Sequence, residues 1–187
     1  MDPPVIRPAT VADAAELAEL GERSFRETFA ADNRPEDIEA YVTVTYSLAK
    51  QRSDLLDPDR TTLLVHADDR LIAYAQLRDG AVPDAVAGPS PIELLRFYVD
   101  RPWHGRGIAQ RLMDAVMDAA RARGAETLWL AVWEFNQRAV AFYGKCGFVD
   151  VGSKEFVLGT DRQTDRVMQR EIDTAPVGKG HSAGGGR

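Results

Sequence analysis

Two glycines and several basic residues stand together in the stretch RPWHGRGIAQRLM, residues 101–113. Gly105 and Gly107 flank Arg106, and an apolar helical pattern begins directly behind them. The first turn of a helix carries free N–H groups and a partial positive charge, and glycine lets a ligand approach the backbone closely. Because phosphates bind at such places, we interpret residues 105–110 as a diphosphate cradle. The alternative is a tight loop whose glycines serve only the turn geometry.

A second stretch, LWLAVWEFNQRAVAFYGKCGF at residues 128–148, places an asparagine at the start of a helical pattern and a tyrosine seven residues later. Positions i and i+7 lie on one face of a helix, so Asn136 and Tyr143 can face the same ligand. A plain N-cap would also account for Asn136, and core packing would also account for Tyr143.

Hydrophobic periodicity predicts the elements that hold these residues. Apolar runs predict strands at residues 5–7, 61–67, 71–78, 92–100, 127–132, 148–153 and 164–172. Helical spacing predicts helices at residues 11–20, 24–33, 36–47, 47–57, 108–124 and 136–147. We expect Gly21 to weaken or end the first helix. The strand–helix–strand passage from 92 to 132 requires a parallel pair, so we predict a mixed α/β sheet with helices on its faces.

Composition limits the classes of function. The length of 187 residues and an apolar content of 44% predict one domain over residues 1–173, and the Gly-rich residues 174–187 are expected to form a disordered tail. A net charge of −6 argues against nucleic-acid binding. One cysteine, Cys146, excludes a disulfide framework and suits a cytoplasmic protein, and three scattered histidines give no metal-ligand spacing. The sequence contains no run of about 18 apolar residues, so no membrane span is predicted.

Taken together, these stretches resemble the GCN5-related N-acetyltransferase (GNAT) family from residue 5 to about residue 172. The acyl-CoA signature of that family, Gln/Arg-x-x-Gly-x-Gly/Ala, reads HGRGIA here, with His104 in the first position. The later pattern of Asn136, Tyr143, Gly147 and Phe148 matches completely. The resemblance implies a seven-stranded, mostly antiparallel mixed sheet whose central parallel strands splay apart between flanking helices.

The resemblance also implies an activity, the transfer of an acetyl group from acetyl-CoA to a primary amine by direct attack in a ternary complex, without a metal. The pantetheine arm would pair with the backbone of Phe97, Tyr98 and Val99, and the Val99 N–H would polarise the acetyl carbonyl. The implied pyrophosphate ligands are the amides of Gly105, Arg106, Gly107, Ile108, Ala109 and Gln110. Asn136 would bind the pantetheine arm, and Tyr143 would lie near the sulfur.

Two steps of this chemistry need a proton carrier. The departing thiolate needs a donor, and Tyr143 can supply the proton. The amine must lose a proton before it attacks. Some family members use a glutamate where this chain has Ala131, so we take Glu93 as the candidate base, acting through water, and Glu134 as the alternative. Both glutamates could equally be solvent-facing charges.

The segments RSFRETFAADNRPEDIEAYV, IELLRFYV, LWLAVWEFN and QTDRVM look like a narrower subgroup, the PaiA-type spermidine/spermine N-acetyltransferases. This resemblance implies a polyamine acceptor, attracted by Glu27, Asp32, Glu36 and Asp37 and walled by Phe25 and Phe29. Each carboxylate could instead be a solvated helix charge, and the phenylalanines could be core. Alternative functions are acetylation of a protein N-terminus or lysine, and acyl-CoA binding without catalysis. The expected partner is therefore a small amine substrate. The protein is expected to be a monomer or a homodimer.

Overall fold

A seven-stranded open sheet forms the centre of the molecule in the computed structural model, which describes residues 3–173. The strand order is β1-β2-β3-β4-β5-β7-β6, and only β4 and β5 run parallel. The strands are β1 Val5–Pro8, β2 Arg60–Ala67, β3 Arg70–Arg78, β4 Pro91–Val99, β5 Thr127–Trp133, β6 Val149–Leu158 and β7 Asp161–Glu171. The predicted mixed sheet with a strand–helix–strand crossover is thus confirmed. The predicted tail at 174–187 lies outside the described residues.

Five α-helices cover the two faces of this sheet. They are α1 Ala14–Phe29, α2 Pro35–Thr45, α3 Leu48–Leu56, α4 Ile108–Ala122 and α5 Gln137–Lys145. Buried side chains of α4 and α5 pack with β2, β3, β4 and β5 in the main core, and the first three helices cover the opposite face in two smaller clusters. The two faces of the sheet therefore pack against different sets of helices.

The expectation that Gly21 ends the first helix is wrong. Helix α1 runs through Gly21 and ends only at Phe29. A Cβ atom at Gly21 would lie 2.6 Å from the ring of Tyr46 and 3.1 Å from the hydroxyl of Tyr74. Glycine therefore serves the close packing of α1 against these tyrosines, and tertiary contact outweighs its low helix propensity.

Strands β4 and β5 separate soon after they meet. Their only paired residues are Pro91 with Thr127, Ile92 with Leu128 and Glu93 with Trp129. Beyond that point β4 stays paired with β3 as far as Val99, and β5 stays paired with β7 as far as Trp133. The two strands thus open into a gap whose facing edges carry unused backbone groups, as the resemblance implied.

Candidate active site

The glycine loop after β4 has the backbone of an anion cradle. Gly105 and Gly107 have φ angles of 73° and 76°, a left-handed conformation that costs other residues about 1–3 kcal/mol. No atom lies within 4 Å of where a Cβ would stand at either glycine. The first intrahelical bond of α4 runs from the Arg111 N–H to the Gly107 carbonyl, at 3.2 Å. Within the described part of the chain, the amides of residues 108–110 therefore have no backbone partner and can bind a ligand.

His104 fixes the end of β4 beside this loop. Its Nε2 donates to the carbonyl of Val99 at 2.7 Å, which leaves Nδ1 as an acceptor for Nη1 of Arg138 at 2.6 Å. Arg138 lies in the first turn of α5, the helix that follows β5. The two polar contacts therefore connect the ends of the strands on either side of the gap. Sequence reasoning noted His104 only as a departure from the family pattern and did not find Arg138.

Tyr143 projects from α5 into the core on the same side of the sheet. Its ring is 8% exposed and packs edge-on against Phe97 and Phe148, with ring centroids 6.2 and 5.7 Å apart. Burial raises the pKa of the Tyr143 hydroxyl well above its usual range, so this phenol stays protonated at neutral pH. Phe97 lies on the part of β4 that no longer pairs with β5, so Tyr143 lies beside the gap. A neutral hydroxyl there can donate a proton or a hydrogen bond.

Asn136 caps α5. Its Oδ1 accepts from the Ala139 N–H at 3.2 Å, the contact expected of an N-cap. The helix-starting role of Asn136 is confirmed, and a role toward the pantetheine arm stays a prediction. Trp103, between β4 and the glycine loop, packs partly against the main core, with the Arg106 guanidinium 5.1 Å from its ring centroid.

A cavity of about 610 Å³ opens beyond the end of β5, on the side of the sheet covered by α1 and α2. Its lining residues are Asp32, Trp133, Glu134, Phe135, Asp161, Arg162, Gln163 and Thr164. Three carboxylates and one cation line the cavity. The cation, Arg162, donates to both carboxylate oxygens of Glu155, at 2.7 and 2.9 Å. The cavity therefore combines aromatic surface with negative charge, which suits an ammonium group.

Comparison with known proteins decides the family. A sequence model described as the acetyltransferase (GNAT) family matches residues 17–148. The chain belongs to the GNAT family of acetyltransferases. Uncharacterized N-acetyltransferases of Mycobacterium tuberculosis and Mycobacterium bovis are 37% identical to it over 160 residues, 86% of this chain and 98% of theirs. The chain is thus an N-acetyltransferase, and acetyl-CoA is its acetyl donor.

Two further similarities help to define the family context. The crystal structure of PaiA N-acetyltransferase from Thermoplasma acidophilum in complex with coenzyme A has a TM-score of 0.72 and 23% identity, covering 91% of this chain and 99% of that chain. The bS18-alanine N-acetyltransferase of Salmonella typhimurium is 33% identical over 86 residues, 46% of this chain and 53% of that protein. The similarity to the Thermoplasma structure is one of fold. The similarity to the Salmonella protein is one of sequence and covers about half of each chain.

The chain's own residues fit the acetyl donor. The free amides behind Gly107 match a pyrophosphate, and the unpaired edge of β4 matches the amides of a pantetheine arm. Within residues 3–173 no three His, Cys, Asp or Glu side chains are grouped to hold a metal ion. No described helix is both long and apolar enough to cross a membrane.

The residues predicted to bind the acceptor amine do not all lie at the acidic cavity. Asp32 lines the acidic cavity, and Phe29 packs against the cavity residue Trp133 with ring centroids 5.6 Å apart. Glu27 is exposed on α1 and does not line the cavity. Asp37 is buried and accepts from the N–H and hydroxyl of Thr160, both at 3.3 Å, so it fastens the β6–β7 turn to α2.

The two candidate bases also differ in position. Glu93 is 4% exposed and forms an ion pair with Arg78, so it is not the solvent-facing charge that we weighed as its alternative. It belongs to the paired start of β4, six residues before Val99, which corresponds to about 20 Å along a strand. Glu134 lines the acidic cavity. A role for Glu93 as base therefore requires a chain of waters along β4.

Asp165 on β7 is a titratable residue that the sequence did not single out. It pairs across the sheet with Trp133 and Lys154. Burial raises its pKa to about 6, helped by the negative charge of Glu134 and opposed by Lys154. The folded protein therefore binds a proton here between about pH 4 and 6 that the unfolded chain has released, and stability falls as the pH rises through that window.

An Asp165→Asn variant is expected to be more stable than the parent at about pH 7.5, by about 1 kcal/mol or a few degrees in Tm, because the partly solvated charge is removed. The gain should disappear below about pH 4, where the parent carboxyl is protonated in both states. Thermal melts of both proteins across this pH range measure the effect, with the exposed Asp118→Asn on α4 as control. Equal melting curves at every pH would contradict the assignment.

Proposed function

We propose that this acetyltransferase acts on a small primary amine that carries more than one cationic nitrogen, the class to which polyamines belong. The acidic, aromatic cavity beyond the end of β5 carries the proposal. Asp32, Glu134 and Asp161 can hold a remote ammonium group there, while Trp133 offers a ring face. The reacting amine then lies toward the gap between β4 and β5.

The β6–β7 turn favours a small acceptor over a protein chain. The contact of Asp37 with Thr160 joins that turn to α2 across one side of the acceptor face. A peptide needs an open groove on both sides, whereas a short amine needs only a pocket. Acetylation of a protein N-terminus, the reaction named for the Salmonella relative, would require this contact to open.

We propose direct attack, with the donor supplying the activated acetyl thioester. The Val99 N–H holds the carbonyl oxygen as negative charge develops on it, and His104 keeps the end of β4 in place through the Val99 carbonyl. The amine, after losing a proton to water or to the candidate base Glu93, forms the new N–C bond as the C–S bond breaks. Tyr143 gives its proton to the departing sulfur, the nitrogen loses its second proton to solvent, and Tyr143 is reprotonated from solvent.

An amine panel tests the proposal. Release of free thiol from acetyl-CoA is measured with putrescine, spermidine, spermine, a monoamine and an N-terminal peptide, and the products are identified by mass spectrometry. We expect the di- and polyamines to give the highest kcat/KM. Preference for the peptide would favour the protein-acetylating alternative, and binding of CoA without turnover of any amine would favour a module without catalysis.

Charge-neutral variants of the cavity test the same idea. Asp32→Asn and Glu134→Gln should each raise the KM for a polyamine about two- to five-fold, the effect of a partly exposed ion pair. The increase should shrink at high salt and be absent for a monoamine, because screening and loss of the second ammonium remove the same attraction. Asp118→Asn on α4 is the control. An unchanged polyamine KM in both cavity variants would contradict the proposed binding mode.

A further inference from the structure

An arginine without a counter-charge lies on the acceptor side of β4. Arg96 stacks on the ring of Tyr46, with its guanidinium carbon 4.8 Å from the ring centroid. Its Nη1 is buried and has no hydrogen-bond partner among residues 3–173. The residue as a whole is only partly exposed and Nη1 is covered, so an anion reaches this nitrogen only when the side chains over it shift. Neither the sequence patterns nor the proposed donor site gives this cation a role.

The groups around Arg96 do not balance its charge. They are four phenols, Tyr41, Tyr46, Tyr74 and Tyr98. Burial raises the pKa of the last three, so these phenols are neutral at physiological pH. The nearby carboxylate of β4, Glu93, is paired with Arg78, and no ion pair involves Arg96 within residues 3–173. Burying a cation without a partner is costly, and a bound anion would remove that cost.

Arg96 is well placed to hold an acceptor. It follows the last β4–β5 pair, at Glu93, by three residues and so lies on the splayed part of β4. The next residue, Phe97, packs on the opposite face of the sheet, 6.2 Å between ring centroids from Tyr143. An anion at Arg96 would therefore sit just across the strand from the proposed acid. Carboxylates suit a guanidinium because both can form two parallel hydrogen bonds.

A row of aromatic rings connects Arg96 with the acidic cavity. Trp133, which lines the cavity, lies 5.6 Å from Phe29, and Phe29 lies 4.6 Å from Phe25, measured between centroids. Phe25 lies 5.9 Å from Tyr46, on which Arg96 stacks. Phe25 and Tyr46 are themselves buried, 3% and 4% exposed, so this row is packed core that holds Arg96 and the acidic cavity on the same face of the sheet. A cationic group and an acidic cavity on one face suit a ligand with a carboxylate, an alkyl chain and a distal ammonium.

We propose that the acceptor is a diamino acid whose α-carboxylate binds Arg96 and whose distal ammonium enters the acidic cavity, leaving the α-amine to react. This inference rests on the proposed function and narrows its substrate class. The α-ammonium releases one proton to solvent, and its nitrogen then bonds to the acetyl carbon. The C–S bond breaks as sulfur takes a proton from Tyr143, and the second proton lost by the nitrogen returns to the Tyr143 oxygen through solvent. The products are an Nα-acetyl diamino acid and the free thiol of CoA.

Matched amines that differ by one carboxylate provide the test. Lysine is cadaverine with a carboxylate, and ornithine is putrescine with one. For the parent we expect kcat/KM to be higher for each amino acid than for its diamine, and the product to be the α-acetyl form. Arg96→Gln should lower the ratio of the two kcat/KM values about 10- to 100-fold, the loss of one charge-assisted pair. Arg96→Lys, which keeps the charge, should recover part of the ratio.

Two further measurements keep the test decisive. Arg121→Gln on α4, an exposed arginine that bonds to Asp118, should leave the ratio unchanged. Calorimetric binding of lysine and cadaverine to the protein without donor reports recognition even if no amine is turned over, and lysine binding lost in a folded Arg96→Gln variant would support the inference by itself. A parent that prefers the diamines, or an unchanged ratio in folded Arg96→Gln, would overturn it while leaving the amine acetyltransferase intact.

Discussion

A Tyr143→Phe variant is expected to keep its fold and its affinity for acetyl-CoA and to lose about 10²- to 10⁴-fold in kcat. The phenylalanine ring can occupy the same space against Phe97 and Phe148, so only the hydroxyl is removed. Because burial raises the pKa of Tyr143, the parent phenol remains protonated through neutral and mildly alkaline pH. We therefore expect the parent's kcat to rise as the amine loses its proton and not to fall from ionisation of Tyr143 below about pH 10.

Changing the leaving group separates proton donation from packing. A thioester of a more acidic thiol needs less help from a proton donor, so it should recover much of the lost rate in Tyr143→Phe and gain little in the parent. Thermal melting and calorimetric binding of CoA establish that the variant is folded and loaded. A merely structural role would lower both donors' rates alike, and a parental kcat with acetyl-CoA would exclude Tyr143 as the acid.

The loop and helix starts were predictable because their physics is local. A glycine is the residue that adopts the left-handed backbone of positions 105 and 107 without strain, and it stood directly before an apolar helical pattern. Asn136 likewise had the type and position of an N-cap, which its bond to the Ala139 N–H confirms. In both places the sequence within a few residues determines the backbone.

Contacts between residues that are distant in sequence explain both the wrong end predicted for helix α1 and the site residues that the sequence did not reveal. Gly21 continues the helix because Tyr46 and Tyr74, distant in sequence, press against it. Arg138 meets His104 across 34 residues, and periodicity contains no information about such contacts. Asp37 is a comparable case, because its helix position suggested a solvated charge, whereas its partner Thr160 belongs to a turn 123 residues away.

The gap between β4 and β5 could be expected only from the resemblance. The run IELLRFYVD is mostly apolar, as for a central strand paired on both edges, and nothing in it marks where the pairing with β5 stops. Arg96 is the one charged residue of strand β4 beyond its pairing with β5, since Asp100 follows the end of the strand. A lone arginine in a strand pattern is compatible with a snorkelling surface side chain. The burial of its Nη1, without a hydrogen-bond partner among residues 3–173, emerges only from the folded structure, where the side chain stacks on Tyr46.

Gly107→Ala should weaken acetyl-CoA binding about 10- to 100-fold while changing kcat at saturating donor far less. Gly107 has a φ of 76°, so a Cβ there strains the loop or forces it to shift. Either change turns the free amides at the start of α4 away from a bound phosphate, and each such charge-assisted hydrogen bond is worth about 1.5–3 kcal/mol. Direct titration with CoA and the KM for acetyl-CoA measure the loss.

Gly124 provides a matched control at the other end of the same helix. Its φ is 77°, and a Cβ there would also meet no atom within 4 Å. Gly124→Ala should therefore lower the Tm about as much as Gly107→Ala and leave the affinity for CoA unchanged, since it lies about 25 Å from the loop along α4. Equal CoA affinity in the two variants would mean that the glycine loop serves chain geometry alone. A loss confined to Gly107→Ala would instead show that backbone amides hold the phosphates, because no side chain is removed by that substitution.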